Sequence, residues 1–162
     1  VTRDYKTAYH LLHNRLANET QDNESTFQTL VMMLEVCYYL KKQKELVRYY
    51  ARAQKYLESL PQKDESYVGI LASAPSYLFR LGEMYLYGGK LEKAEECFTR
   101  MMGCRRCDFC HYGGCYEAQL GMGLVRLFQK RFEEAEGYFR RCLEINPHNE
   151  TSKYYLENRR KW

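Results

Sequence analysis

The sequence predicts an all-α protein made of antiparallel helical hairpins, with about seven or eight helices in a single domain over residues 1–162. Three observations predict this fold class. Apolar residues recur at intervals of three and four in nearly every segment, which is the spacing of one helix face. No segment shows the sustained alternation that is typical of strands. The interruptions fall at Asn and Gly clusters or at the prolines Pro61, Pro75 and Pro147.

The helices follow one another with short connections. We expect them at about 3–17, 26–42, 44–60, 76–87, 91–102, 116–129, 132–145 and 150–160. Ser25 and Gln28 form a capping-box pattern, which predicts that Ser25 caps the second helix. Pro75 suits the first position of the fourth helix, and Gly88 with Gly89 makes a tight turn before the fifth.

Composition limits the function classes. The chain is 45% hydrophobic with a net charge of +4, and its last twelve residues carry three of those charges. The remaining body is nearly neutral, whereas a nucleic-acid-binding protein usually carries a basic stripe, so no nucleic acid is expected. No run of about 18 apolar residues is present, so no membrane span is expected either. Seven cysteines, four of them within twelve residues, indicate a reducing cytoplasm rather than a secreted disulfide framework.

One pattern of small and large residues occurs twice in the second half of the chain. Its first copy is Leu78, Leu81, Gly82, Tyr85, Ala94 and Phe98, and its second is Met122, Gly123, Ala135, Phe139, Cys142 and Pro147. The pattern resembles the tetratricopeptide repeat, in which Gly and Ala lie where the two helices of one unit cross. The resemblance implies hairpins stacked as a right-handed solenoid. Gln119 and Arg126 depart from the large apolar residues usual at their positions.

The repeat units are unevenly spaced. We place them at about 27–60, 75–108 and 116–149, followed by a terminal helix at 150–160, and the first unit lacks the small residues of the other two. Ala94 and Ala135 are 41 residues apart, against a period of about 34. Extra residues therefore form an insertion, at 103–115.

The insertion contains a cluster of cysteines. Cys104, Cys107, Cys110 and Cys115 could supply four thiolates, with His111 as an alternate ligand. Four such donors suit a structural zinc ion, which needs tetrahedral coordination. An iron–sulfur cluster and a metal-free loop of free or oxidised thiols are the alternatives, because C-x2-C-x2-C also matches iron–sulfur spacing. Cys37, Cys97 and Cys142 are expected as small core residues.

The resemblance also implies a binding surface, since the first helix of each unit lines a concave groove in that family. The positions that match are Val31, Glu35, Tyr38 and Tyr39 in the first unit, Phe79, Glu83, Leu86 and Tyr87 in the second, and Glu117, Leu120, Leu124, Leu127 and Phe128 in the third. Such a groove suits a protein or peptide with bulky side chains and a Lys or Arg. Packing of some of these residues under the terminal helix is the alternative.

Catalytic motifs are missing. No phosphate loop, nucleotide fingerprint or nucleophile elbow is present, and His10 with His13 has no carboxylate or cysteine nearby in sequence to complete a metal site. We therefore expect a protein-binding scaffold rather than an enzyme. A metal- or redox-responsive regulatory module, acting through the cysteine loop, is the alternative function.

Overall fold

The helices lie close to their predicted positions. A computed structural model describes residues 4–60, 75–102 and 115–162 of the chain. These contain eight α-helices and no strand: α1 (Tyr5–Asn18), α2 (Glu24–Tyr39), α3 (Gln43–Ser59), α4 (Pro75–Tyr87), α5 (Leu91–Met102), α6 (Tyr116–Phe128), α7 (Phe132–Ile145) and α8 (Glu150–Glu157), with a 3-10 turn at Arg159–Lys161. The all-α prediction is confirmed, and α4 begins at Pro75 as expected.

The predicted cap of α2 is wrong. Asn23, not Ser25, precedes the helix in extended conformation, and its side-chain oxygen accepts a hydrogen bond from the Thr26 amide at 2.9 Å. Ser25 lies inside the first turn, where its hydroxyl accepts from Arg15 of α1 at 2.7 Å. Asn and Ser are equally good caps, so the choice depends on where the chain enters the helix.

Three hairpins share one turn geometry. The residue two positions after α2, α4 and α6 has positive φ in each case, namely Lys41, Gly89 and Lys130. In each turn the next amide donates to a carbonyl five residues back, as Lys42 does to Cys37. This is the Schellman arrangement, which satisfies the last carbonyls of a helix. The α2–α3 pair therefore repeats the other two hairpins, although its sequence lacks their small residues.

The hairpins stack through their first helices. The first helices α2, α4 and α6 pack side by side, and the second helices α3, α5 and α7 each pack against their own first helix. Helix α5 also packs against α6 of the following hairpin. Helix α1 packs on α2 and helix α8 on α7, so both ends of the array are covered in the described part of the chain.

The small residues lie where the repeat pattern places them. A Cβ atom on Gly82 would lie 2.5 Å from Cε1 of Phe98, and one on Gly123 would lie 2.6 Å from Cε1 of Phe139. Both rings are fully buried, as are Ala94 and Ala135. Sequence reasoning missed Gly121, whose Cβ would lie 2.5 Å from Cε1 of Phe98. The Phe98 ring is thus held between the first helix of its own hairpin and that of the next.

Arg126 departs from the repeat pattern because it makes an ion pair between hairpins. Its guanidinium donates to both oxygens of Glu95 on α5, at 2.6 and 2.8 Å, and lies 3.4 Å from Glu134 on α7. A bidentate pair of this kind is geometrically specific. The position therefore joins α5, α6 and α7 by charge where a large apolar residue would join them by packing.

Candidate functional site

The face formed by α2, α4 and α6, called the first-helix face below, carries the thirteen residues predicted to contact a partner. Seven of them are buried: Val31, Phe79, Glu83, Leu86, Tyr87, Leu120 and Leu124. Five are partly exposed: Glu35, Tyr39, Glu117, Leu127 and Phe128. Tyr38 is the most accessible, at 41% exposure. The buried residues pack between helices, so the surface available to a partner is smaller than the pattern indicated.

Aromatic packing accounts for part of this burial. Tyr38, Tyr39, Tyr87 and Phe128 form an aromatic cluster where the first helices end, and the rings of Tyr38 and Phe128 are stacked with centroids 4.8 Å apart. The cluster extends to the terminal helix, since the hydroxyl of Tyr155 hydrogen-bonds that of Tyr39. Burial raises the pKa of Tyr39 and of Tyr87 well above the usual range, so both phenols are neutral.

Three carboxyl groups, one from each first helix, interact on this face. Glu83 of α4 forms an ion pair with Arg80 at 2.8 Å, and both Glu35 of α2 and Glu117 of α6 are close enough to raise its pKa. We call Glu35, Glu83 and Glu117 the carboxylate cluster. Burial is the main cause that brings the pKa of Glu83 to about 7, while Arg80 opposes it. Burial also raises the pKa of Glu117.

Next to this cluster lies a groove that the sequence did not reveal. The α1–α2 groove has a volume of about 400 Å³ and is lined by Asp4, Tyr5, Ala8, Leu11, Leu12, Met32, Glu35 and Val36. Leu11 and Met32 are 66% and 46% exposed, and both line this one groove, so they form an exposed apolar patch. Glu35 belongs to both features and joins the groove to the carboxylate cluster. The sequence could have indicated this groove through Leu11 and Met32, because they continue the apolar pattern beyond the buried face of each helix.

Comparison with protein families identifies the repeated hairpins. Two models described as tetratricopeptide repeat match the chain, one over residues 75–101 and the other over residues 116–149. The chain contains two tetratricopeptide repeats. Tetratricopeptide repeats generally mediate protein–protein interaction and generally belong to non-catalytic scaffolds. No curated protein and no solved structure matches the chain.

The matched segments are α4–α5 and α6–α7, which contain the Gly–Phe contacts described above. The α2–α3 hairpin lies outside these two matched segments and has the same turn. The carboxylate cluster takes one member from each of the three hairpins of this repeat protein. Its geometry therefore depends on the stacking that the repeats produce.

The predicted metal ligands lie mostly outside the described residues. Cys104, Cys107, Cys110 and His111 fall in the range 103–114, which is not described. Cys115 is buried and directly precedes α6. Within the three described ranges, no group of three or more His, Cys, Asp and Glu residues is placed to hold a metal ion. The zinc site stays a prediction. Cys37, Cys97 and Cys142 are buried core residues, as predicted.

The described helices also bear on membrane association. None of them combines the length and the apolar character that crossing a bilayer requires.

The raised pKa of Glu83 predicts a pH dependence of stability. A carboxyl group whose folded-state pKa exceeds its unfolded value of 4.5 binds its proton more tightly when folded, so its contribution is full below about pH 4.5 and is lost as the pH rises through about 7. We expect Glu83→Gln, which is neutral at every pH, to be more stable than the wild type at pH 8 by on the order of 1–3 kcal/mol. At pH 4.5 the two proteins should be nearly equal.

Urea denaturation at several pH values measures this effect. Glu133→Gln is the matched control, because Glu133 lies on an exposed face of α7. Its stability curve should run parallel to that of the wild type. A Glu83→Gln protein that is less stable than the wild type at pH 8 would show that the ion pair with Arg80 outweighs the cost of burial.

Proposed function

We propose that this repeat protein binds a protein segment along the α1–α2 groove and the adjoining carboxylate cluster. The observation that carries the proposal is the continuity of an exposed apolar groove with three carboxyl groups supplied by three successive hairpins. The segment we expect has two or more bulky apolar side chains followed by a Lys or Arg. The general role of tetratricopeptide repeats in protein–protein interaction supports this class of ligand.

The apolar part of the interaction comes from the groove. Leu11 and Met32 offer side chains that a partner can cover, and burial of apolar surface contributes about 25 cal/mol per Å². Exposed apolar patches bounded by polar groups commonly mark interaction sites. The buried members of the first-helix face, such as Phe79 and Leu120, support the helices from beneath instead.

The charged part comes from the carboxylate cluster. Glu35 and Glu117 both repel the charged form of Glu83, and Arg80 forms an ion pair with Glu83. A cationic side chain from a partner would be attracted to these carboxyl groups in a partly dehydrated place, where charge pairs are stronger than in water. Acidic ligands are disfavoured by the same charges. The family resemblance points the same way: members that bind acidic chaperone tails use Lys and Asn, whereas the matching positions here hold Val31, Phe79 and Leu120, so we do not expect such tails to bind.

Peptide selection tests this proposal. We expect peptides selected from a random displayed library against the wild-type protein to be enriched in apolar residues next to Lys or Arg. Binding of a selected peptide, measured by fluorescence anisotropy, should fall at least about tenfold in Leu11→Ser/Met32→Ser and in Glu35→Gln. Phe79, Tyr87 and Phe128 are unsuitable for this test, because polar substitutions there would damage the packing between helices.

Val47→Ser provides the control for the apolar substitutions. Val47 is 58% exposed on α3 and does not line the groove, so its replacement should leave binding unchanged. Selected peptides that bind the groove and cluster variants as tightly as they bind the wild type would refute the proposed site. Enrichment of acidic peptides would refute the charge argument.

A further inference from the structure

A second cavity lies away from the first-helix face, between α1 and α3. The α1–α3 pocket has a volume of about 230 Å³ and is lined by His13, Leu16, Ala17, Arg48, Tyr49 and Arg52. None of these residues belongs to α2, α4 or α6, so the pocket is separate from the surface proposed for a partner segment. It combines three nitrogen-bearing side chains with an apolar wall.

The polar groups of the pocket are held in place by their neighbours. The buried Tyr49 hydroxyl is 3.0 Å from Nδ1 of His13 and accepts a hydrogen bond from Nη2 of Arg48 at 3.2 Å. The Arg48 guanidinium lies over the Tyr49 ring, 4.9 Å from its centroid. The Tyr9 ring stacks on the His13 ring, with their centroids 5.7 Å apart. The guanidinium and the imidazole are therefore oriented before any ligand arrives, which lowers the entropy cost of binding.

Arg52 is oriented in the same way. Its Nε and Nη2 donate to Oδ1 of Asp22, at 2.9 and 2.5 Å, and this direction of bonding leaves Nη1 available for another acceptor. Arg48 lies one turn before Arg52 on the same face of α3. Two guanidinium groups at this spacing can approach one anion together, since neighbours four residues apart on a helix face the same side.

The charge balance around the pocket is positive. Arg48 and Arg52 line the pocket and no carboxylate does, while Asp22 pairs with Arg52, and Glu45, paired to Lys42 at 3.4 Å, is close enough to Arg48 for that charge to lower its pKa. In the described part of the chain Arg48 hydrogen-bonds Tyr49 and makes no ion pair with a carboxylate. An anion that enters the pocket would thus meet the guanidinium groups of Arg48 and Arg52 and no lining carboxylate.

We propose that the α1–α3 pocket binds a phosphate monoester carried on an aromatic or similarly apolar body. Nη1 of Arg52 and the N–H groups of Arg48 that do not bond Tyr49 can donate charge-assisted hydrogen bonds to the oxygens of a phosphate dianion. Leu16, Ala17 and the Tyr49 ring form an apolar wall for the body of the ligand. Inorganic phosphate would leave that wall uncovered, so an organic phosphate fits better.

Titration with simple phosphates tests the proposal. We expect phenyl phosphate, followed by calorimetry and by amide shifts in NMR spectra at low ionic strength, to bind about tenfold more tightly than inorganic phosphate. The shifts should centre on His13, Arg48 and Arg52. Binding should weaken as salt is added, because the pocket is open to solvent and the attraction is screened.

Substitution of Arg48 separates a specific site from general charge attraction. Arg48→Gln should weaken phenyl phosphate binding about tenfold or more with little change in thermal stability, since Arg48 is exposed and the Tyr49 hydroxyl keeps His13 as a hydrogen-bond partner. Arg140→Gln is the matched control: Arg140 is an exposed arginine on α7 that pairs with Glu136, and its loss should not affect binding. Equal weakening in both variants, or no binding of phenyl phosphate to the wild type at millimolar concentration, would overturn the proposal.

A phosphotyrosine tripeptide distinguishes two sources of the same chemistry. Tighter binding of the tripeptide than of phenyl phosphate supports a phosphorylated protein side chain as the natural ligand. Equal binding supports a free organic phosphate. Either result supports the α1–α3 pocket as the binding site, provided that Arg48→Gln weakens the binding.

Discussion

Replacing Phe98 by alanine is expected to lower the free energy of unfolding by about 3–5 kcal/mol. The Phe98 ring is fully buried and lies between Gly82 of α4 and Gly121 of α6. Its centroid is 5.9 Å from that of the Phe79 ring. Its loss would leave a cavity at the junction of two hairpins, where the glycines have no side chains with which to fill it. Because a domain of this size is stable by about 5–15 kcal/mol, we expect a large part of that stability to disappear.

Chemical denaturation followed by circular dichroism measures this loss. Phe132→Ala is the matched control, since Phe132 is another helical phenylalanine but is 40% exposed. It should change the unfolding free energy by no more than about 1 kcal/mol. A Phe98→Ala protein as stable as the Phe132→Ala protein would mean that the packing of Phe98 between α4 and α6 does not hold the hairpins together.

Replacing Gly121 by alanine should destabilise the protein by about 1–3 kcal/mol, which is opposite in sign to the usual effect of this change in a helix. A Cβ atom at Gly121 would lie 2.5 Å from Cε1 and 2.6 Å from Cγ of the buried Phe98 ring. Relief requires the ring to move, and the ring is confined by Phe79 and by Gly82 on its other side.

Gly137→Ala provides the opposite result in the same protein. Gly137 is an exposed helical residue of α7, and no atom lies within 4 Å of the position its Cβ would take. Alanine there should stabilise the protein by about 0.4–1 kcal/mol, because it restricts the unfolded chain without a clash. Stabilisation by both substitutions would show that α5 and α6 are farther apart than the structure indicates.

The substitution Phe98→Leu, which makes the side chain smaller, provides a further check on the contact between Gly121 and Phe98. If the ring is what makes Gly121→Ala unfavourable, the alanine should cost less in a Phe98→Leu background than in the wild type. A double-mutant cycle measures this coupling, which should be about 1 kcal/mol or more for side chains in direct contact.

Much of the fold could be predicted from local pattern. Apolar spacing located the helices, Pro75 located the start of α4, and the Gly and Ala residues of the repeat located the crossing points at Phe98 and Phe139. The choice between Asn23 and Ser25 as a cap could not be predicted, since both side chains suit the role and the entry path of the chain decides between them.

The candidate site was less predictable than the fold. Family resemblance indicated the first-helix face, and Glu35, Glu83 and Glu117 do interact there. It could not indicate that Phe79 and Leu120 are buried. Nor could it indicate the exposed groove beside Glu35, which depends on how α1 packs on α2. Arg126 is a further example, because its role depends on Glu95, 31 residues earlier in the chain.

The sequence by itself determined that the protein is a helical repeat array, because small and large residues at repeat spacing specify how the helices of each hairpin cross. Only the tertiary structure decided which part of the first-helix face a partner can reach. That depends on contacts such as the hydrogen bond between Tyr39 and Tyr155, which are 116 residues apart. The tertiary structure also decided the proton affinity of Glu83, because burial and neighbouring charges are properties of the assembled array rather than of any one helix.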